Sequence, residues 1–180
     1  MTKQSYLTSS IKKLIGQTGP LVWFSDIITT TEVRRFIQAT MDPNPVFRSD
    51  KYASSTKFQG LVAPPLFPLT YFRSSVESHD VLSQSFSENI AFDGFTPELL
   101  GLFGLPDIQI PLERTLNGGS EIEFFQFAKP GESIGAQSRI IDISEKAGRS
   151  GHLVFIIVET TFWNDQPSKL LTARLTTIKR

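Results

Sequence analysis

The sequence predicts an α+β domain in which an antiparallel sheet wraps one long helix. Three observations predict it. The chain from Leu116 onward reads as consecutive strands separated by turn signals, a helix with a reciprocal cap starts at Thr29, and a second helix start stands at Pro64-Pro65. Within 180 residues there is no internal repeat, low-complexity tract or linker, so residues 1–180 are expected to form one continuous domain. A chain of this length buries roughly 70% of the surface that it exposes when unfolded, and needs no covalent staples.

The elements follow in order. Residues 1–20 form an N-terminal extension with a short helix expected over Ser9–Ile15, ending near Gly16 and Gly19-Pro20. Leu21–Ile28 is rich in β-branched and aromatic residues and reads as a strand. Thr29-x-x-Glu32 fits a capping box, followed at helical spacing by Val33, Phe36, Ile37 and Met41. Asp42-Pro43-Asn44-Pro45 stops that helix, because each proline disfavours α geometry in the residue before it. The second helix is expected from Pro64-Pro65 through Leu66, Leu69, Phe72 and Val76, with Pro68 still in its first turn.

Residues 77–114 read as an irregular, Phe-rich insert holding a short helix capped by Thr96 with Pro97 at its first position. Strands are then expected at Glu121–Ala128, Ser133–Ser144, Leu153–Trp163 and Leu170–Ile178. Leu153–Val158 is apolar throughout, as for a central strand covered on both faces, whereas Leu170–Ile178 alternates.

Composition narrows the function. Eighteen basic and eighteen acidic residues leave no net charge, which argues against a nucleic-acid binder. Cysteine is absent, which excludes disulfides, thiol nucleophiles and thiolate metal sites and fits a cytoplasmic protein. With only His79 and His152, no multi-histidine metal site is expected, and no redox cofactor is implied. The first ten residues are polar, unlike a signal peptide, and the longest apolar run is six residues, so no membrane insertion is expected. Fifteen phenylalanines must be buried in a core, an interface or an acyl-sized pocket.

Three stretches carry the chemistry: Asp42-Pro43-Asn44-Pro45-Val46-Phe47, Gly60-Leu61-Val62-Ala63-Pro64-Pro65 and Asn117-Gly118-Gly119. Prolines on both sides of Asn44 fix backbone φ and remove two donors, giving a rigid loop. Such a loop can hold a carboxylate and an amide in place for acid–base work, or simply cap turns. The Asn117-Gly118-Gly119 stretch is read either as backbone close to substrate or partner, or as a tight turn entering a strand.

The order of these motifs, from Phe36 to Phe47, with Tyr52-Ala53 and Gly60–Pro65, resembles the MaoC-like dehydratases, in particular the N-terminal-dehydratase branch of that hot-dog-fold family. Leu116–Phe124, Lys129–Glu132 and Gly148–Gly151 resemble its later landmarks, so the likeness runs from about Ile15 to Arg180. The resemblance implies paired hot-dog units and acyl thioesters of coenzyme A or an acyl-carrier arm as substrate. The implied reaction is reversible addition of water across C2=C3.

Residue by residue, Asp42 matches the family's catalytic aspartate and Asn44 the asparagine after it, while Phe47 occupies the position of the catalytic histidine. Gly60, Leu61, Val62 and Ala63 are expected to line the thioester, with Phe47, Asn117 and Gly118 also near substrate. The family holds the thioester carbonyl with backbone N–H groups, one from a glycine whose place is taken here by Pro65. Proline has no N–H. Loss of an acid–base group costs typically ~10²–10⁴ in rate and loss of one oxyanion donor about 10²–10³. His79 is the substitute considered for the missing histidine, and His152 is expected in a solvated hairpin turn.

The chain is expected to pair as a homodimer or as a heterodimer with another hot-dog chain, and three readings follow: an enoyl-thioester hydratase or 3-hydroxyacyl dehydratase; a non-catalytic acyl-binding subunit of a heteromeric hydratase whose partner supplies the catalytic histidine; and a hot-dog thioesterase. Phe86, Phe92, Phe95 and Phe103, with Leu99, Leu100 and Leu102, are expected as a flap over the open side of the sheet or as an acyl tunnel wall. Arg34, Arg35, Arg48, Lys51 and Lys57 are read either as contacts to carrier phosphates or as solvated surface.

Overall fold

In the computed structural model, residues 5–71, 81–92, 94, 102–148 and 151–180 are described. Five antiparallel strands form one sheet: β1 (Val22–Ile27), β2 (Thr115–Phe124), β3 (Ser133–Gly148), β4 (Gly151–Asn164) and β5 (Lys169–Lys179). Their spatial order is β1-β3-β4-β5-β2, so β1 and β2 are the edges. Helices α1 (Ser9–Lys12), α2 (Thr30–Thr40), α3 (Asp50–Ser54), α4 (Phe67–Thr70) and α5 (Val81–Glu88) and a 3₁₀ turn at Pro45–Phe47 complete the order. The α+β class is as expected. Among the described residues no helix is long and apolar enough to cross a membrane.

Side chains alternate along β4, and this divides the molecule. Val154, Ile156, Val158, Thr160 and Phe162 are all buried, while the residues between them are half-exposed. Leu153–Val158 is therefore covered on one face of this chain, not on both as its unbroken apolar run implied. Phe162 joins a core with Ala136, Leu171 and Ala173 of the sheet and Ile37, Phe47, Phe67 and Tyr71 of the covering segments. At the other end, Val154, Ile156 and Val158 join a second core closed by Ile11, Leu102, Ile108 and Ile110. The N-terminal extension is thus part of the fold. Its Tyr6, Leu7 and Leu14 pack there too.

The capping box forms as the sequence dictates, with Thr29 Oγ1 accepting from the Glu32 N–H and the Glu32 carboxylate accepting from the Thr29 N–H. Tyr71, only 1% exposed, ties three elements together. Its hydroxyl lies 2.6 Å from the Ile27 carbonyl and 3.0 Å from Glu32 Oε2, sharing its proton between them. Two tilted and edge-on ring pairs, Phe24 with Phe103 and Phe103 with Phe162, add aromatic contacts across the same core.

Several boundaries differ from the sequence reading. Helix α1 stops at Lys12 instead of Ile15, because the following turn aims the Gly16 N–H at the Ile140 carbonyl. Met41 is not in α2 but closes it in left-handed geometry, φ 54°, with its side chain 84% exposed. Helix α4 starts at Phe67 after a turn in which the Phe67 N–H meets the Pro64 carbonyl, and the rest of the expected long helix, with Phe72 and Val76, lies outside the described residues. Strand β2 begins at Thr115 and ends at Phe124, and α5 occupies part of the insert read as irregular. The Thr96–Pro97 helix start, Phe95, Leu99 and Leu100 lie outside the described residues.

Two core variants test this architecture by denaturant unfolding. Phe162→Ala is expected to lower stability by about 3–5 kcal/mol through the cavity it leaves. Tyr71→Phe, which keeps the ring and removes the hydroxyl that donates to the Ile27 carbonyl and the Glu32 carboxylate, is expected to cost about 1–3 kcal/mol. Loss below 1 kcal/mol for both would refute this account of the core.

Candidate active site

The loop after α2 is built by its own polar side chains. The left-handed Met41 ends the helix and lets the chain turn at Asp42, whose Oδ1 accepts the Asn44 N–H at 2.9 Å. Asn44 repeats the device, its Oδ1 accepting the Val46 N–H at 3.1 Å and capping the 3₁₀ turn. Both residues thus make the turn-capping bonds that their chemistry favours. Asp42 is half-buried and Asn44 exposed, and no hydrogen bond engages the second carboxylate oxygen of Asp42 among the described residues. A held carboxylate with one oxygen left over can accept a proton or orient a water.

Phe47 is a core residue, 5% exposed, packed edge-on against Phe127 with ring centres 6.0 Å apart. A hydrocarbon ring there can shape a pocket but cannot move a proton. His79 lies outside the described residues.

The stretch Gly60–Pro65 runs beside this loop. Gly60 has φ +150°, a conformation that L side chains rarely adopt. Asp50 Oδ1 accepts the Leu61 N–H at 3.3 Å, and the Ala63 N–H donates to the Ala128 carbonyl at 2.8 Å, with both alanines buried. Leu61 and Phe47 share a cavity of about 350 Å³ with Arg34, Ile37, Gln38 and Arg48. Val62 faces a second cavity of about 390 Å³, with Phe58, Phe127, Lys57 and Lys129 among its lining. The turn therefore stands between two cavities, each with cationic and aromatic walls. Pro65 is half-exposed and precedes Leu66, which stands at the N-cap of α4 and makes no side-chain capping bond.

Asn117 and Gly118 are elsewhere. They sit in β2, where the pairing with β5 slips between Asn117 and Gly119. Asn117 Oδ1 accepts the Gly119 N–H at 2.8 Å, and Gly119 has φ +113°. A Cβ at Gly118 would stand 2.7 Å from Thr176 Cγ2 and 3.0 Å from the Thr176 carbonyl oxygen. The expected tight turn entering a strand is instead a β-bulge inside an edge strand, where close approach to β5 requires glycine at 118 and the positive φ favours it at 119.

His152 is not a solvated turn residue. It is the second residue of β4, its Nδ1 lies 2.5 Å from Glu145 Oε1, and its side chain is 24% exposed. The other Glu145 oxygen accepts the Ser5 hydroxyl at 2.8 Å and the Tyr6 N–H at 3.2 Å. Sequence reading missed this cluster, because nothing local links residues 5, 145 and 152. The Ser5 hydroxyl, and then the His152 and Tyr6 contacts, hold the Glu145 carboxyl below the usual carboxylate range against the opposing effect of burial.

Of the Phe-rich segment, Phe103 and Leu102 are core, while Phe86 is half-exposed and pairs with Phe92 at 5.4 Å between ring centres. Among the described residues no group of three or more His, Cys, Asp or Glu side chains is placed to hold a metal ion.

Residues 15–172 match the family described as the FAS1-like dehydratase domain region. The chain belongs to this family. It is a MaoC-like hot-dog dehydratase-type domain, and the antiparallel sheet with its covering helices is that fold. A UPF0336 protein of Thermobifida fusca (strain YX) is 22% identical over 121 residues, which are 67% of this chain and 64% of that relative. A chain of the ChsH1–ChsH2 complex from Mycobacterium tuberculosis superposes with a TM-score of 0.67 at 16% identity, over 95% of this chain and 87% of that one. The MaoC-like dehydratase from Rhodospirillum rubrum gives a TM-score of 0.59 at 14% identity, over 92% and 91% of the two chains.

Two measurements check the local accounts. Gly118→Ala is expected to destabilise the domain by about 1–3 kcal/mol, through overpacking against β5. For Glu145, a lowered folded-state pKa means stability that is present above the ordinary value and lost as the pH falls below about 4.3. Glu145→Gln is therefore expected to lower the melting temperature at pH 7 and to flatten its fall below that pH. An unchanged acid profile would show that the Ser5–Glu145–His152 cluster does not contribute.

Proposed function

We propose that this chain is a working unit of an enoyl-thioester hydratase, or in reverse a 3-hydroxyacyl-thioester dehydratase, completed by a second hot-dog unit that brings the proton-transferring histidine. The substrate is an acyl thioester of coenzyme A or of an acyl-carrier arm. Family membership supports the reaction class. The observation that carries the division of labour is the buried Phe47, a hydrocarbon in the histidine's place. Pro65, which offers no N–H to a thioester oxygen, points the same way.

In this reading Asp42 holds and orients the water, Asn44 fixes the loop, and Gly60–Ala63 line the thioester. Pairing is supported by two things. Strand β2 is an edge strand whose side chains are largely exposed, a ready template for another strand. The related M. tuberculosis chain is one of a ChsH1–ChsH2 complex.

A second reading, a self-sufficient hydratase, is favoured by the unengaged oxygen of Asp42. Hydration of a short 2-enoyl-CoA, followed by loss of the conjugated double bond, separates them. The purified chain alone is expected to run ~10²–10⁴-fold slower than the complex identified by native mass spectrometry, and Asp42→Asn to remove activity from that complex. Equal turnover by the chain alone would replace the divided reading with the self-sufficient one. Release of free thiol without hydration would replace both with thioester hydrolysis.

A further inference from the structure

The chain has no net charge, so a cavity with two cations and, among the described residues, no acid in its lining is a local departure. Of the five basic residues that the sequence set aside, the fold brings Arg34 and Arg48 to one cavity, the one of about 350 Å³ beside Phe47. Arg34 and Gln38 are one turn apart on α2 and share its face, while Arg48 follows the 3₁₀ turn that Asn44 caps. Ile37, Phe47 and Leu61 supply the apolar part of the lining.

Neither guanidinium is in a salt bridge among the described residues, and no carboxylate is among those lining the cavity. None of the acids nearby in sequence, Glu32, Asp42 and Asp50, is among the residues lining the cavity, and Asp42 turns one oxygen to the Asn44 N–H. Glu32 holds Thr29 and receives the Tyr71 hydroxyl, and Asp50 holds the Leu61 N–H. Two exposed guanidinium groups without an acidic partner among the described residues, beside Ile37, Phe47 and Leu61, match an oxyanion joined to a hydrocarbon chain, since guanidinium pairs bidentately with phosphate or carboxylate. The volume falls within the range of pockets that bury small ligands.

We propose that the Arg34–Arg48 cavity binds the phosphate of the arm that carries the acyl thioester, with Gln38 as a further donor and the arm's carbons along Ile37 and Leu61. Coenzyme A and a carrier protein's phosphopantetheine both present that chemistry. The inference rests on the thioester reading and adds to it the place where the arm is recognised. It also gives Phe47 a use as wall in place of catalyst.

Calorimetric binding of three non-hydrolysable acyl analogues tests it: on coenzyme A, on phosphopantetheine and on phosphate-free pantetheine. The native protein, with any partner it carries, is expected to bind the phosphorylated arms about tenfold or more tightly than the phosphate-free one, a preference that shrinks as salt rises. Arg34→Gln with Arg48→Gln is expected to lose that preference while binding the pantetheine analogue as before. Arg34→Lys with Arg48→Lys, which keeps charge but not the fork, is expected to retain only part of it and guards against a folding defect in the first variant. A preference for coenzyme A over phosphopantetheine identifies the free cofactor as the source, and equality identifies the carrier arm. An unchanged preference in both double variants overturns the site alone. Failure of the native protein to bind even the pantetheine analogue overturns the thioester reading, and this site with it.

Discussion

A buried main-chain hydrogen bond, from the Ala63 N–H to the Ala128 carbonyl, sets where the rest of the site can be. Both residues are essentially inaccessible to water, so leaving the pair unmade would cost the desolvation of two polar groups. The bond pins the approach to α4 against the chain that links β2 to β3. On one side of that seam lies the cavity with Phe47 and the arginines, and on the other the cavity with Phe58, Phe127 and the lysines. Small side chains are needed on the seam itself. Alanine at both ends lets two backbones approach to hydrogen-bonding distance inside a core otherwise filled by larger aliphatic and aromatic side chains.

The turn after α2 shows how local chemistry prepares a site without completing it. A left-handed residue, two successive side-chain-to-backbone bonds and two prolines fix the backbone from Met41 to Phe47 almost without help from the core. Phe47 enters the hydrophobic interior, and Val46 packs against it partly buried. A histidine in that place would have to bury a polar ring among Ile37, Val62 and Phe127, and would need a partner for each ring nitrogen. Phenylalanine removes that cost and the proton transfer together. Under the proposed division of labour, stability of this loop and catalytic self-sufficiency pull in opposite directions at this position.

Much of this was legible in the sequence. Reciprocal capping at Thr29 and Glu32, the proline stop after Asp42 and the turn signals between the last strands are short-range features, and short-range physics decides them. What escaped was decided by tertiary contact. The unbroken apolar run at Leu153–Val158 cannot reveal which of its faces the chain itself covers. Asn117-Gly118-Gly119 carries ordinary turn chemistry, and only the close approach of Thr176 converts it into a bulge. Glu145 and His152 meet across a hairpin and gather Ser5 from the far end of the chain, a contact that no local pattern encodes. The site residues divide in the same way, with Asp42 and Asn44 placed by their own turns and Arg34 and Arg48 brought to one cavity only by the fold.

The half-exposed face of β4 bears on the need for a partner. Leu153, Phe155, Ile157 and Trp163 stand on the side of the sheet away from the core, interrupted by Glu159 and Thr161. Glu159 is joined to Arg174, and Arg174 to Glu121, in a three-residue ion ladder that crosses β4, β5 and β2. An exposed ladder of this kind adds little to stability, because water screens it. It does keep the middle of that face polar and solvated, which disfavours burying it against another chain. The edge of β2, apart from its bulge at Asn117–Gly119, offers backbone in place of that charged face. Its backbone groups on the side away from β5 are the ones that another strand would satisfy, and a strand added there would extend the sheet from the β2 side. That leaves edge pairing as the physically cheaper route to a second unit, and makes the exposed polarity of the sheet face part of what directs it.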